Sequence, residues 1–144
     1  MSYRHILLVG AFLSFAKISF AQLEQTIHQT FELNDKTNVQ LDLHGDYTFV
    51  PWASNNILIE TKIQLFNSSA SILKHFVEKD KRYLIEADTS LSDKLRLYSH
   101  DMKRTSLRTK TGAESTEIVK TRIFIPDNFV IRDEKILVLE KTRN

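Results

Sequence analysis

The sequence predicts an all-β fold: short strands with alternating faces, arranged as a sandwich or a short β-solenoid-like stack, with one short α-helix packed on the sheet. Two observations carry this reading. Apolar and polar residues alternate with a period of two through most of the chain beyond residue 22, which is the spacing of a strand with one dry and one wet face. A single segment, Ser68 to Glu78, switches to helical spacing. An antiparallel sandwich and a solenoid both use such strands with turns about every 8–12 residues, so the pattern leaves both open.

A first strand is expected through Ile27, Phe31 and Leu33. Val39, Leu41 and Leu43 alternate with Gln40, Asp42 and His44 and predict a second. Gly45-Asp46 reads as a turn, because glycine takes positive φ without a steric cost. The chain resumes as Tyr47 to Val50, is interrupted by Pro51-Trp52, and turns again over Ala53 to Asn56. Ile57 to Phe66 is the clearest strand. Its Ile57, Ile59, Thr61, Ile63 and Leu65 share one face; Glu60, Lys62 and Gln64 share the other. In the helical segment Ile72, Leu73, Phe76 and Val77 lie on one face, and Ser68 or Ser69 supplies the N-cap. About three turns of helix are marginal alone, so the apolar stripe must pack on the sheet. Its charged exit, Glu78 to Arg82, reads as a solvated turn. Further strands are expected at Arg82–Ala87, Lys94–Tyr98, Ser106–Lys110, Glu117–Ile125 and Ile136–Leu139.

The first 21 residues have a different character. Arg4 and His5 precede a ten-residue apolar run, Ile6 to Phe15, and a stretch ending Ser19-Phe20-Ala21. Charge, apolar core and a small-x-small site in that order are the layout of a cleavable secretory signal. The run is too short for a bilayer, which needs about 20 apolar residues. The expected organisation is therefore a signal peptide at 1–21 and one β-rich domain at 22–144, with no transmembrane span in the mature chain. A domain of that size buries about two thirds of its unfolded surface and needs no staples. There is no cysteine, which removes disulfides and thiolate metal sites and leans the origin towards a bacterial periplasm or surface. The net charge of +2 comes from 20 basic and 18 acidic residues. Arg4 and Lys17 fall in the leader, so the mature chain is balanced. Nucleic-acid binding, which demands clustered positive charge, is not expected.

Candidate chemistry is sparse. Asp42, His44 and Asp46 sit two apart, so an extended strand projects all three on one face, a donor set that suits zinc or another divalent metal. The competing reading is the wet face of a half-buried strand, and it is preferred because structural sites need four converging ligands. His28, His75 and His100 have no spacing that demands coordination. There is no glycine-flanked serine elbow and no glycine-rich phosphate loop. No catalytic residue and no cofactor is assigned, and the chain reads as a non-enzyme. Lys103, Arg104, Arg108 and Lys110 form a basic cluster that would suit lipid head groups or acidic glycans. The bland alternative, a solvated strand face balanced by Glu114 and Glu117, is favoured. Asn67-Ser68-Ser69 matches a glycosylation acceptor but is read as a helix cap. Trp52, the single tryptophan, lies between Pro51 and a polar turn. It either closes an end of the core or stands exposed beside asparagines, where it could stack on a sugar ring.

Asn38 to Trp52, followed by a short turn and Asn56-Ile-Leu-Ile-Glu60, resembles the opening of the head-GIN-like adhesin family of Gram-negative envelope proteins. Lys81 to Glu86 and Thr121 to Asn128 resemble the family's later strands. The resemblance spans most of residues 30–132 and rests on strand-and-turn patterns. It implies strands stacked in a β-helix or prism-like solenoid and carries over no site residue. This chain ends at Ile136 to Asn144 without the glycine-marked coils that family members often add.

These observations together lead to an exported, non-catalytic envelope protein that acts by surface contact, adhesin-like or as an interaction module. It is expected in the periplasm or on the surface of a Gram-negative bacterium, with an envelope protein or glycan as partner. The contact surfaces are expected at strand edges and at Trp52. The alternative is a periplasmic ligand- or metal-binding domain that uses Asp42, His44 and Asp46.

Overall fold

A computed structural model describes residues 22–108, 112 and 114–140. The signal-peptide reading at 1–21 lies outside the described residues. The elements run β1 (Leu23–Glu32), β2 (Asn38–Asp42), β3 (Tyr47–Trp52), β4 (Asn56–Phe66), α1 (Ala70–Glu78), β5 (Ile85–Asp88), β6 (Lys94–Ser99), β7 (Thr116–Pro126), β8 (Phe129–Asp133) and β9 (Ile136–Leu139). They form a four-stranded sheet in the order β1-β4-β7-β3 and a five-stranded sheet in the order β5-β6-β2-β9-β8.

The two sheets pack face to face. Ile57 and Ile59 of β4 and Ile123 and Ile125 of β7 meet Val39, Leu41, Leu95, Leu97 and Leu137 from the second sheet in one buried cluster. A sandwich is therefore the architecture, and the solenoid alternative is corrected: consecutive strands do not stack as successive coils. Nor is the sandwich purely antiparallel, because β2 pairs with β6 and β3 with β7 in parallel. Period two fixes which side chains are buried but carries no information about strand direction.

β1, β4 and β7 are longer than the second sheet can cover. Beyond Thr61, buried at the midpoint of β4 and paired with Thr121, the inner face passes to a second core. There Ile63 and Leu65 pack with Leu73 of α1 and with Tyr83, supported by Phe76 and Val77. This is the packing the helical stripe demands. Ser69 is the N-cap and accepts a hydrogen bond from the Ile72 amide. Ile72 itself stays exposed, so the stripe is narrower than its apolar letters suggest.

Several boundaries differ from expectation. β3 runs through Pro51 and Trp52 instead of stopping before them. Proline is tolerated because β3 is an edge strand, where a missing N–H disturbs no second ladder. The segment expected as a strand from Arg82 begins pairing only at Ile85, because Lys81 adopts a left-handed φ of 51° and the chain turns there, with Leu84 N–H bonding Lys81 O at 3.0 Å. The strand expected at Ser106–Lys110 is reduced, among the described residues, to one bridge between Arg108 and Glu114. β8 was not expected. Its Val130 and Ile131 are exposed at a sheet edge, so no dry face shows in its letters.

The two flanks of the sandwich are unlike. On the β1/β5 flank the Gln29 side chain donates to Ile85 O (2.9 Å) and accepts from Ile85 N–H (3.0 Å), which occupies the β5 edge at that residue. On the β3/β8 flank a cleft of about 660 Å³ opens between Tyr47 and Phe49 on one wall and Ile131 on the other. The outer face of the first sheet carries a charged ladder in which Arg122 Nη2 lies 2.8 Å from Glu60, His28 3.2 Å from Glu60 and Lys62 2.8 Å from Glu24. Such exposed pairs, screened by water and salt, add little to stability.

Candidate functional site

Sandwich folds place their connecting loops at the two ends, where backbone that need not enter a ladder can present side chains to a partner. At one end the β1–β2 loop, the β3–β4 turn, the β7–β8 turn and the end of β9 converge. The pairings Glu32 with Asn56, Trp52 with Pro126 and Phe129 with Leu139 bring them to the same level. They enclose a depression of about 510 Å³.

The depression has an apolar base and a polar rim. Leu33 and Phe129 are buried members of the inter-sheet core and line it together with Pro126 and Leu139. Glu32, Asn34, Asp35, Asn55 and Asn128 are exposed around it, and Asn56 is half-buried. The frame is held by main-chain bonds: Lys36 N–H to Leu33 O at 2.9 Å, Leu139 N–H to Thr37 O at 2.8 Å, and Glu140 N–H to Asn128 O at 2.8 Å. Asn34 sits at φ 47°, a left-handed conformation that asparagine tolerates better than most residues. Lys36 turns its ammonium away to the carbonyls of Thr89, Leu91 and Ser92. Lys36 still lines the depression, so the rim carries the two carboxylates of Glu32 and Asp35 and one ammonium already engaged by carbonyls. Among the described residues, the side-chain amides of Asn34, Asn55, Asn56 and Asn128 have no protein hydrogen-bond partner. Asn38 differs, its amide reaching Asp93 at 3.3 Å.

Trp52 borders this end without lining the depression. Its Nε1–H donates to Asn56 O at 2.8 Å, which ties down the turn that carries Asn55 and Asn56. Its ring lies 5.8 Å from that of Phe124 at 53°, half-buried on the outer face of the first sheet. It is therefore not part of either buried core. The core-closing reading of Trp52 is corrected by register: Trp52 pairs with Pro126 and its neighbour Val50 with Phe124, whereas Phe49 pairs with the core residue Ile123.

Asp42, His44 and Asp46 do not come together. Asp42 accepts from Arg96 Nε at 2.6 Å and Gln40 Nε2 at 3.1 Å. His44 Nδ1 is engaged with Met102 O at 3.1 Å. Asp46 lies past Gly45, whose φ of 79° reverses the chain. Extended geometry would have aligned the three, but β2 ends at Asp42. Among the described residues no group of three or more histidine and acidic side chains is placed to hold a metal ion.

The basic cluster is also split. Arg104 stacks over the Tyr83 ring, 5.1 Å from its centroid, and burial pushes its guanidinium pKa down. Arg108 is exposed, and Lys110 lies outside the described residues. Beside Arg104 stands an ionic network that the sequence reading missed. Arg82, expected in a solvated turn, is 6% exposed. Its Nε and Nη2 grip Glu117 at 3.0 and 2.9 Å, and Nη2 also donates to Thr105 O at 2.9 Å. Tyr83 O–H donates to Glu117 at 2.6 Å. Burial alone would raise the Glu117 pKa, but the hydrogen bonds from Arg82 and Tyr83 outweigh it and hold the carboxyl below its ordinary value. Burial, with Glu117 adding to it, pushes the Tyr83 hydroxyl far above its usual range. The signal available in sequence was the pair Arg82-Tyr83 directly before a strand. It looked like one more charge in the Glu78–Arg82 run. The network ties β7 to the chain that follows α1, and its groups satisfy one another, which is the pattern of a structural tie.

The site thus belongs to an all-β sandwich with an amide-rimmed depression at one loop end. The chain matches no family model, no curated protein and no solved structure.

Proposed function

We propose that the protein is an exported, non-catalytic module of a Gram-negative cell envelope that works by surface contact through this loop end. The observation that carries the reading is the depression itself: a hydrogen-bonded loop frame holds uncommitted amides and carboxylates over an apolar base. Binding sites tend to combine apolar walls with a few convergent polar groups in about 300–1,000 Å³, and loops on a rigid scaffold supply them. The charge–apolar–small order of residues 1–21 supports export. The resemblance of Asn38 to Glu60 to head-GIN-like adhesins supports an envelope role. The functional alternative built on Asp42, His44 and Asp46 has no geometric support.

The test follows the full chain with its leader. It should fractionate with the periplasm or outer membrane and, once recovered, bind isolated envelope saturably. Trp52→Ala should leave export intact and lower stability by about 1–2 kcal/mol, since a half-buried ring contributes about half of a fully buried one. A core tryptophan would cost about 3–5 kcal/mol. Retention in the cytoplasm, or no saturable envelope binding, refutes the proposal.

A further inference from the structure

We infer that the depression at the loop end binds a neutral glycan. This inference rests on the contact reading above and names the chemistry of its partner. A sugar ring offers hydroxyls that both donate and accept, arranged around carbon–hydrogen faces that shed water. The rim matches that pattern. An asparagine amide provides two donors and an acceptor, and an ionised carboxylate accepts through both oxygens, so adjacent hydroxyls can be satisfied from Asn34, Asp35, Asn55 and Asn128. The base, with Pro126, Phe129 and Leu139, presents apolar surface to the sugar's carbon–hydrogen face.

Charge chooses between glycan classes. Glu32 and Asp35 face the depression, and the Lys36 ammonium is drawn off to the carbonyls of Thr89 and Ser92 at 3.1 and 3.3 Å. An acidic sugar would place its carboxylate against these two and meet a single ammonium, that of Lys36, already held by main-chain carbonyls, whereas a neutral sugar meets acceptors for its hydroxyls. Position argues against an extended peptide. The depression lies at the strand ends, where loops meet, and peptide strands add along a free sheet edge. The amides also have no partners to give up: among the described residues none of the four is engaged within the protein, so binding breaks no internal hydrogen bond at the rim.

The experiment uses the mature chain recovered after export, labelled with nitrogen-15. It is titrated with three probes: a trimer of N-acetylglucosamine, maltotriose and a trimer of galacturonic acid. The expected result is saturable movement of the Asn34, Asn55 and Asn128 side-chain amide signals by at least one neutral trimer, and by the acidic trimer about tenfold more weakly. The double variant Asn55→Leu/Asn128→Leu should lose about tenfold or more in neutral-trimer affinity with an unchanged melting curve. The single variant Asn55→Leu serves if the double variant fails to fold. No movement of these amides at about 20 mM of either neutral trimer, or equal binding of the acidic trimer, overturns the inference. Envelope binding measured in parallel separates this failure from that of the wider reading. If sugars fail while envelope binding persists and falls in the asparagine variant, the partner is a protein and only the glycan inference is lost. If envelope binding is itself absent, the reading beneath it is lost as well.

Discussion

Replacing Glu117 with alanine tests whether the Arg82–Tyr83–Glu117 network is a structural tie. The carboxylate is 16% exposed and Arg82 is 7% exposed at the side chain. The substitution removes three short hydrogen bonds, at 3.0, 2.9 and 2.6 Å. Each charge-assisted bond contributes about 1.5–3 kcal/mol, but the three share one carboxylate and do not add fully. The governing cost is a buried guanidinium without its counter-ion, about 3–5 kcal/mol. Arg82 keeps Thr105 O at 2.9 Å and Asp101 at 3.6 Å, which places the expected loss near the lower end, about 3 kcal/mol. With a urea m-value of about 1–3 kcal/mol/M for a domain of this size, the unfolding midpoint should fall by about 1–3 M. Urea unfolding of wild type and Glu117→Ala reads the effect. The variant Arg82→Met/Glu117→Leu, which removes both charges, should recover much of the loss, because apolar replacement of a buried pair is often neutral. A loss below about 1 kcal/mol, the range of exposed ion pairs, would show that Arg82 is solvated after all.

Three further outcomes are expected. Stability should fall on acidification as Glu117 is protonated: its folded pKa is depressed, so its contribution is present above the ordinary value of 4.5 and is lost as pH drops below it. Urea midpoints measured from pH 7 downward check this, and Glu117→Gln should flatten that part of the profile. Gln29→Ala should cost about 1–3 kcal/mol by orphaning both main-chain groups of Ile85, and hydrogen exchange at the Ile85 amide should speed up. Asn34→Val should destabilise by about 1–3 kcal/mol, because a β-branched side chain is strained at a φ of 47°, while Asn34→Gly should be tolerated; thermal unfolding of the two separates backbone strain from loss of the amide.

What the sequence disclosed follows from burial. β4 was legible nearly to the residue because Ile57, Ile59, Ile63 and Leu65 are fully buried and alternate with Glu60, Lys62 and Gln64. The helix was legible because Leu73, Phe76 and Val77 repeat at helical spacing above a core that needs them. β8 was not, since an edge strand with Val130 and Ile131 in solvent shows no alternation. The parallel pairings were hidden for a related reason: side-chain period is the same in either direction. The candidate site was half visible. Trp52 and its asparagine-rich turn stood out as letters, but Asn34, Asp35 and Asn128 are distant in sequence and meet only through the pairing of β1, β4, β7 and β9. The alignment of Asp42, His44 and Asp46 on one face, the less favoured reading, required a strand continuing past Asp42, where β2 ends.

The Gln29 side chain has a consequence for assembly. By filling both main-chain groups of Ile85, it stops the five-stranded sheet from being lengthened beside β5 at that residue, while β8 at the opposite margin keeps its outer rail free. An obstruction of this kind at one margin works against edge-to-edge stacking of copies. Two molecules meeting through β8 would present the same strand to each other across a two-fold axis and form a closed pair with no open margin beside Ile85.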